Sequence, residues 1–266
     1  MLIAMPNVAD AVRLLEAIAP PELAEEWDNV GLLVGDPTAE LRRVLTCLTL
    51  TPDVVGEAIQ GGVSLIVTHH PLPFRGVKTI TTTSIDGGSL WRLARAGVAV
   101  YSPHTAYDSA ADGVNRQWAE RLSLTDVTPL APIADAPEEV GVGRIGTLPS
   151  ADFAALCKAV KAAVNLPTLR AVPTANGRCG RVAIACGSGG SLLDLAIAAG
   201  CEAFLTGELS FHEALRCRSE GVGVVLTGHY ASERFAIETL AETLANRLDG
   251  VPVQASEVES DPFVTV

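Results

Sequence analysis

The chain has 266 residues, of which 48% are apolar and 5% aromatic, so it is long enough for one large α/β domain or two smaller ones. Its formal net charge of −12 argues against non-specific binding to nucleic acid or anionic membranes, although a nucleotide needs only a local positive or metal-bearing pocket. Residues 1–8 lack the pattern of a signal peptide, and no apolar run reaches about 18 residues, so we expect a cytoplasmic protein with no membrane span. The six cysteines show no CxxC spacing, and we expect them to be reduced thiols.

The first half of the chain alternates predicted helices and strands. Apolar residues at helical spacing predict a helix over residues 8–18, with Asn7 as its N-cap. A strand at 44–50, a helix at 53–60 capped by Thr51 and a strand at 63–68 form a βαβ unit, which implies a parallel strand pair. A further helix at 86–96, a strand at 98–101 and a helix at 114–122 follow.

The second half repeats this alternation after a segment rich in proline and acidic residues at 125–139, which we interpret as a linker. Beyond it we predict strands at 140–148, 181–185, 203–205 and 223–226, and helices at 151–164 (capped by Ser150), 192–199, 211–220 and from His229 to 248. Residues 251–253 and 263–266 could be closing strands. We therefore expect two α/β domains, at 1–125 and 126–266, with C-terminal strands that could pack back on the first.

The five histidines are the main candidates for chemistry: His69, His70, His104, His212 and His229. Each follows a strand-like apolar run and stands beside carboxylates, and the carboxyl ends of strands converge in open α/β sheets. His229 and Glu233 are four residues apart at the start of a helix and so share one face. A histidine that caps the backbone and a solvated His–Glu pair are the ordinary alternatives, but their coincidence at several strand ends favours a metal site.

The candidate ligands are nitrogen and oxygen atoms, without thiolate. This set suits Zn, Mn, Fe, Co or Ni and argues against a structural zinc site of the cysteine type. Ligands on loops favour an open coordination shell that holds water, and two ions about 3.5–4 Å apart can stabilise both attacking and leaving oxygens. The residue types therefore point to hydrolysis.

Several motifs resemble the family of GTP cyclohydrolase 1 type 2 homologues, the Nif-three-like dinuclear-metal hexameric proteins. They run in the family's order over nearly the whole chain: Trp27-Asp28-Asn29-Val30-Gly31-Leu32, Thr68-His69-His70-Pro71, His104-Thr105-Ala106-Tyr107-Asp108, Gly113-Val114-Asn115, Thr206-Gly207-Glu208 and Gly228-His229-Tyr230-Ala231-Ser232-Glu233-Arg234. The family usually has Asn-Leu where Ala106-Tyr107 stands here. The middle of the chain is too short for the inserted domain of longer members.

The resemblance implies two interlocked α/β domains with mixed and parallel sheets, a metal site in the cleft between them, and a toroidal homohexamer. It also implies two divalent metal ions per subunit. Carried over by motif, His69, His70, Asp108, His229 and Glu233 would be the ligands. Glu233 would bridge the ions, with His70 and Asp108 completing one shell and His69 and His229 the other. Water or substrate would complete both shells.

Other residues have open roles. His104 is the candidate catalytic residue and would orient a water or a substrate group, although a histidine that ties down its loop is an equal alternative. Glu208 and His212 follow the same strand-end logic as weaker candidates. The glycine-rich loop from Gly187 to Gly190 could hold a phosphate at a helix N-terminus, but a tight turn is the favoured interpretation.

Two functions compete for these residues. The first is a metal-dependent hydrolase that acts on a nucleotide or another phosphorylated small molecule. The alternative is a non-enzymatic, metal-binding oligomeric scaffold or regulatory interaction protein. The acidic charge disfavours a nucleic-acid-binding module.

Overall fold

The computed structural model describes residues 5–264. The first part of the chain forms α1 (Val8–Ile18), β1 (Gly31–Val34), β2 (Val44–Cys47), α2 (Pro52–Gln60), β3 (Leu65–Thr68), α3 (Ile85–Ala96), β4 (Ala99–Ser102) and α4 (His104–Ser109). The rest forms α5 (Val114–Arg121), β5 (Thr125–Thr128), β6 (Ala131–Pro132), β7 (Gly141–Val142), β8 (Arg144–Thr147), α6 (Phe153–Ala163), β9 (Arg170–Val172), β10 (Arg181–Ser188), α7 (Leu193–Ala198), β11 (Ala203–Glu208), α8 (Phe211–Glu220), β12 (Gly223–Leu226), α9 (His229–Ala245) and β13 (Val253–Ala255). The fold is therefore mixed α/β, as the alternation predicts.

The chain divides into two compact units. Unit 1 contains Met1–Tyr107 and Ala236–Val266, and unit 2 contains Asp108–Phe235. None of the helices between residues 5 and 264 is long and apolar enough to cross a membrane.

Unit 1 is built on a five-stranded sheet with the order β1-β4-β3-β2-β13. The last four strands are parallel, and β1 runs antiparallel to β4. The parallel β2–β3 pair confirms the predicted βαβ unit. Leu45, Ile66 and Val100 on the strands and Val54 and Leu93 on the helices α2 and α3 are fully buried in one apolar core. Because four parallel strands end at one edge, the residues that follow them are brought together there.

The helix starts in unit 1 follow local sequence signals. Asn7 forms a capping box with Asp10, and Thr51 Oγ1 accepts the Val54 N–H ahead of Pro52 at the first helical position. Both predicted caps are confirmed. Helix α4 was not expected, because residues 102–108 have no apolar periodicity from which a helix could be inferred.

Unit 2 is built on a six-stranded sheet with the order β5-β8-β10-β11-β12-β9. Its central strands β10, β11 and β12 are parallel, and β8 and β9 border them in antiparallel orientation. Ala183, Phe204 and Val224 are fully buried in its core together with Ala196 and Cys217 of the helices.

Unit 2 and the C-terminal region differ locally from the sequence-based expectations. Residues 125–128, at the start of the segment interpreted as a linker, form β5 and pair with β8. The strand expected at 140–148 is interrupted at Gly143, whose φ of +63° separates β7 from β8. Helix α6 is capped by Asp152 and not by Ser150, because Ala151 has φ +48° and turns the chain before the helix begins. Residues 263 and 264 are not in a strand, and residues 265 and 266 lie outside the described residues.

Candidate metal centre

Three histidines of unit 1 meet at the carboxyl edge of its sheet. His69 and His70 directly follow β3, and His104 follows the neighbouring parallel strand β4. Each offers one ligand atom within 4.8 Å of the others. The ring centroids of His69 lie 5.2 Å from those of both His70 and His104. His69 is 1% exposed and His104 9% exposed, so the group is largely shielded from water. We call these three residues the histidine triad.

Main-chain hydrogen bonds fix the first two members of the triad. The N–H groups of His69 and His70 donate to the carbonyls of Cys47 and Leu48, at 2.9 and 2.8 Å. Ser102 Oγ donates to the His69 carbonyl at 2.7 Å. His70 Nδ1 also shares a hydrogen bond of 2.8 Å with Thr49 Oγ1. The strand-end geometry and these bonds fix the backbone of both residues, and the Thr49 contact also holds the His70 imidazole.

His104 is held by Asp28, whose side chain is fully buried. Its Nδ1 lies 2.8 Å from Asp28 Oδ1, and Asp28 Oδ2 accepts the N–H and the hydroxyl of Thr105, at 3.1 and 2.5 Å. Burial alone would raise the pKa of Asp28, but the hydrogen bonds from His104 and Thr105, the attraction to His104 and a bond from Asn29 N–H together lower it to about 2. Asp28 is therefore ionised and fixes the orientation of the His104 ring.

The backbone of His104 is strained, with φ at +24°. A non-glycine residue in this region is uncommon, and such strain persists where the surrounding structure imposes it, often at functional sites. The Asp28 contacts supply that constraint here.

In unit 2, His229 and Glu233 face each other from the first turn of α9. His229 Nε2 lies 3.3 Å from Glu233 Oε2, and His229 Nδ1 lies 3.3 Å from Glu208 Oε2 at the end of β11. The hydrogen bond to Glu233 is the largest influence on the pKa of His229; burial opposes it, and the charges of Glu233 and Glu208 add to it, so the pKa rises to about 9. Glu233 is only 3% exposed. The prediction that His229 and Glu233 share one face of the helix is confirmed, and Glu208 contacts the other ring nitrogen of His229.

Gly187 makes room for this pair. A Cβ at residue 187 would overlap Glu233 Oε1 and lie 3.4 Å from His229 Nε2, and the φ of +59° favours glycine independently. The N–H of Gly187 donates to Ser232 Oγ at 2.9 Å, and that of Gly189 donates to Thr206 Oγ1 at 3.1 Å. Because these amides bind hydroxyls of the same unit, the loop fits the tight-turn interpretation better than a phosphate site.

Asp108 lies beside a cysteine that sequence reasoning had not connected with it. Cys186 Sγ donates to Asp108 Oδ1 at 3.1 Å, and burial is the largest of the influences that raise the pKa of the thiol well above its usual range. Asn115 bridges the two residues, because its amide donates to the Asp108 carbonyl and its oxygen accepts the Cys186 N–H. Buried Arg144 donates to the carbonyls of Ser109 and Ala110 and so anchors the chain next to Asp108.

The donor set fits a divalent transition metal. Imidazole nitrogens in the triad and a buried carboxylate beside an imidazole in unit 2 are ligands that Zn, Fe, Mn, Co and Ni accept. The histidine triad could therefore hold a metal ion. His104 belongs to this group, although it is also the candidate catalytic residue. The division of ligands between two shells stays a prediction.

The remaining candidates from the sequence, and two residues that it did not indicate, also have defined positions in the structure. His212 is exposed on α8, where its ring meets that of Phe211. The six cysteines, all among the described residues, form no disulfide bonds with one another. Sequence reasoning gave no role to Asp28 or Thr49, because their partners lie far away along the chain or across a loop. The only available signal for Asp28 was its place in the Trp27-Asp28-Asn29 motif.

Comparison with known proteins agrees with this architecture. Residues 6–262 match the sequence model of Duf34/NIF3 (NGG1p interacting factor 3). The chain is 34% identical to a GTP cyclohydrolase 1 type 2 homolog of Lactococcus lactis, over 98% of this chain and 100% of that protein. It is 35% identical to the Protein NIF3 homolog of Schizosaccharomyces pombe, over 96% of each. Staphylococcus aureus hypothetical protein SA1388 shares the fold, with a TM-score of 0.88, 28% identity and coverage of 99% and 100%. The chain belongs to the Duf34/NIF3 family.

Proposed function

We propose that the protein binds two divalent metal ions and hydrolyses a nucleotide or another phosphorylated small molecule. The residues that would hold the ions are His69, His70, Asp108, His229 and Glu233. The observation that carries the proposal is the histidine triad, whose ligand atoms lie within 4.8 Å of one another. The buried Glu233 carboxylate beside His229 adds a second set of nitrogen and oxygen donors.

Bound divalent ions would supply Lewis-acid activation of water and stabilisation of charge on phosphoryl oxygens. The protein's own contribution is to hold the ligands before the ions arrive. Main-chain bonds fix His69 and His70, and Gly187 leaves room for the Glu233 carboxylate. Such preorganisation reduces the reorganisation needed when metal and substrate bind.

His104 is the proposed catalytic residue. Asp28 engages its Nδ1, so Nε2 is the atom that would hold or transfer a proton at a substrate or water oxygen. The buried carboxylate would stabilise the protonated imidazole, in the way that an aspartate orients a catalytic histidine. If His104 instead ligates a metal, the same contact would fix the tautomer that coordinates.

Two exposed aromatic rings near His104 support a nucleotide as substrate. Trp27 is 60% exposed and Phe74 45% exposed, and their ring centroids lie 5.8 Å apart and about 6 Å from that of His104. A base can stack on such rings, a contact worth roughly 1–3 kcal/mol. The name of the Lactococcus lactis relative, GTP cyclohydrolase 1 type 2 homolog, points to the same class of substrate.

The test is turnover by the metal-loaded protein. The full chain is stripped with a chelator, reloaded with Zn, Mn, Fe, Co or Ni, and assayed against nucleotides and phosphate esters. The His104→Gln variant is treated and assayed in the same way. We expect hydrolysis of at least one nucleotide, lost on stripping and reduced about 100-fold or more in His104→Gln. Absence of turnover with every metal at full occupancy would contradict the hydrolase and favour the scaffold, a role to which the family description as an interacting factor also points.

We also propose that the chain assembles as a homohexamer, as the resemblance implies. Light scattering of the metal-loaded protein would give a mass of about six chains of 27.7 kDa. A monomer or dimer at micromolar concentration would contradict this proposal.

A further inference from the structure

The segment that follows β13 is fastened to the loop after β2 by one carboxylate. Glu259 Oε2 accepts the Leu48 N–H at 2.8 Å, and its Oε1 accepts the Thr49 N–H at 2.6 Å. A carboxylate that receives two backbone N–H groups forms strong, charge-assisted hydrogen bonds. The loop therefore has a defined conformation at Thr49, although that residue is exposed.

The same loop touches the histidine triad. Thr49 Oγ1 lies 2.8 Å from His70 Nδ1, and His70 offers one of the ligand atoms of the triad. Metal-ligating histidines generally donate their second ring N–H to an oxygen, which fixes the tautomer and the orientation of the ring. If the Nδ1 proton is donated to Thr49 Oγ1, then Nε2 would be the ring nitrogen left to bind a metal.

We propose that Thr49 is a positioning residue for the metal ligand His70, and that Glu259 holds Thr49 in place. The proposal rests on the proposed function, because it requires His70 to bind metal. It connects the C-terminal segment to the metal site through two steps: carboxylate to loop backbone, then loop hydroxyl to imidazole. By linkage, metal binding should stabilise the Glu259 contact as much as that contact favours metal binding.

Unit 1 offers a matched control for this chain of contacts. Glu57 on α2 holds the same C-terminal segment, because its carboxylate accepts the Ser256 hydroxyl at 2.5 Å and the Glu257 N–H at 2.9 Å. Glu57→Ala removes one attachment of the segment but none of the Thr49 contacts described above. It therefore separates a general loosening of the segment from an effect on His70.

The experiment measures cobalt(II) affinity by chelator competition, and the cobalt(II) d–d absorption spectrum, on the full-length chain. We expect Thr49→Val to weaken binding by about 10- to 100-fold and to alter the spectrum, whereas Thr49→Ser, which keeps the hydroxyl, stays within about threefold of wild type. Glu259→Ala should weaken binding by about tenfold, and Glu57→Ala by less than about threefold. Cobalt should also slow amide exchange at Leu48 and Thr49 in the wild type but not in Thr49→Val.

Three results would overturn the inference. Wild-type affinity and spectrum in Thr49→Val would mean that the hydroxyl does not position His70. Equal losses in Glu57→Ala and Glu259→Ala would mean that the segment acts only through overall stability, which thermal unfolding of each variant would reveal. Failure of the wild type to bind cobalt would contradict the proposed metal-binding function. This outcome differs from the first two because it is seen in the wild type, without any variant.

Discussion

At the scale of single residues, the contact between Asp28 and His104 joins the exposed 25–29 loop to the histidine triad. The carboxyl of Asp28 is ionised and fully buried, and it satisfies four hydrogen-bond donors, from His104, Thr105 (two) and Asn29. Removing a buried acceptor of this kind leaves those donors unsatisfied. The resulting loss in the free energy of unfolding is larger than the net contribution of any one of the hydrogen bonds.

Asp28→Ala should lower the free energy of unfolding by about 2–4 kcal/mol, because the donors of His104 and Thr105 lose their acceptor. Urea denaturation of the metal-free protein measures this change. The matched control is Asp36→Ala, since Asp36 also accepts two bonds from one threonine, Thr38, but on the exposed surface. A loss for Asp28→Ala no larger than that for Asp36→Ala would contradict the structural role of Asp28.

A substitution at Gly187 tests whether the space beside Glu233 contributes to stability independently of the left-handed backbone conformation at residue 187. Gly187→Ala should cost about 1–2 kcal/mol for the left-handed φ, plus a further loss for the overlap with Glu233. Gly177→Ala provides the comparison, because Gly177 has φ +75° but no atom within 4 Å of its missing Cβ. If both variants lose the same stability, then the space at Gly187 is not required.

At the scale of elements, strand ends and helix starts place the candidate ligands. Parallel β3 and β4 present the triad, and the first turn of α9 presents His229 opposite Glu233. Sequence periodicity could predict the positions of His69, His70, His229 and Glu233, because each of these candidate ligands lies directly after a recognisable strand or in the first turns of a recognisable helix. It could not predict α4, whose six residues carry too little periodicity, or the contacts of Asp28 and Thr49, which depend on tertiary packing.

The start of α9 also predicts a pH dependence for the metal-free protein. The pKa of His229 is raised from 6.5 to about 9 by Glu233 and Glu208. A group whose pKa is higher in the folded than in the unfolded state stabilises the folded state fully when the pH is below its unfolded pKa. The contribution of His229 is therefore fully present below pH 6.5 and is lost as the pH rises through about 9. Unfolding measured from pH 6 to 10 should show stability falling across this window, and Glu233→Gln should flatten the fall. An unchanged slope in that variant would contradict the pairing.

At the scale of the whole molecule, composition and the alternation of strands and helices could predict a mixed α/β protein, and the comparisons show the family. The sequence offered the possibility that a C-terminal strand packs back on the first domain, and β13 does pair with β2. The order of strands could not be predicted from local patterns, because strand order depends on contacts distant in sequence. Candidate metal ligands could be named from motifs, but the number of ions that they would hold could not be derived from residue types alone.

Metal stoichiometry tests the central claim most directly. Elemental analysis of the full chain, after loading and removal of loosely held ions, should give about two divalent ions per chain, and both His69→Ala and Glu233→Ala should fall well below that value. His212→Ala serves as control, since His212 is an exposed histidine on α8, and should keep wild-type content. Less than one ion per chain in the wild type, unchanged in His69→Ala and Glu233→Ala, would contradict the account.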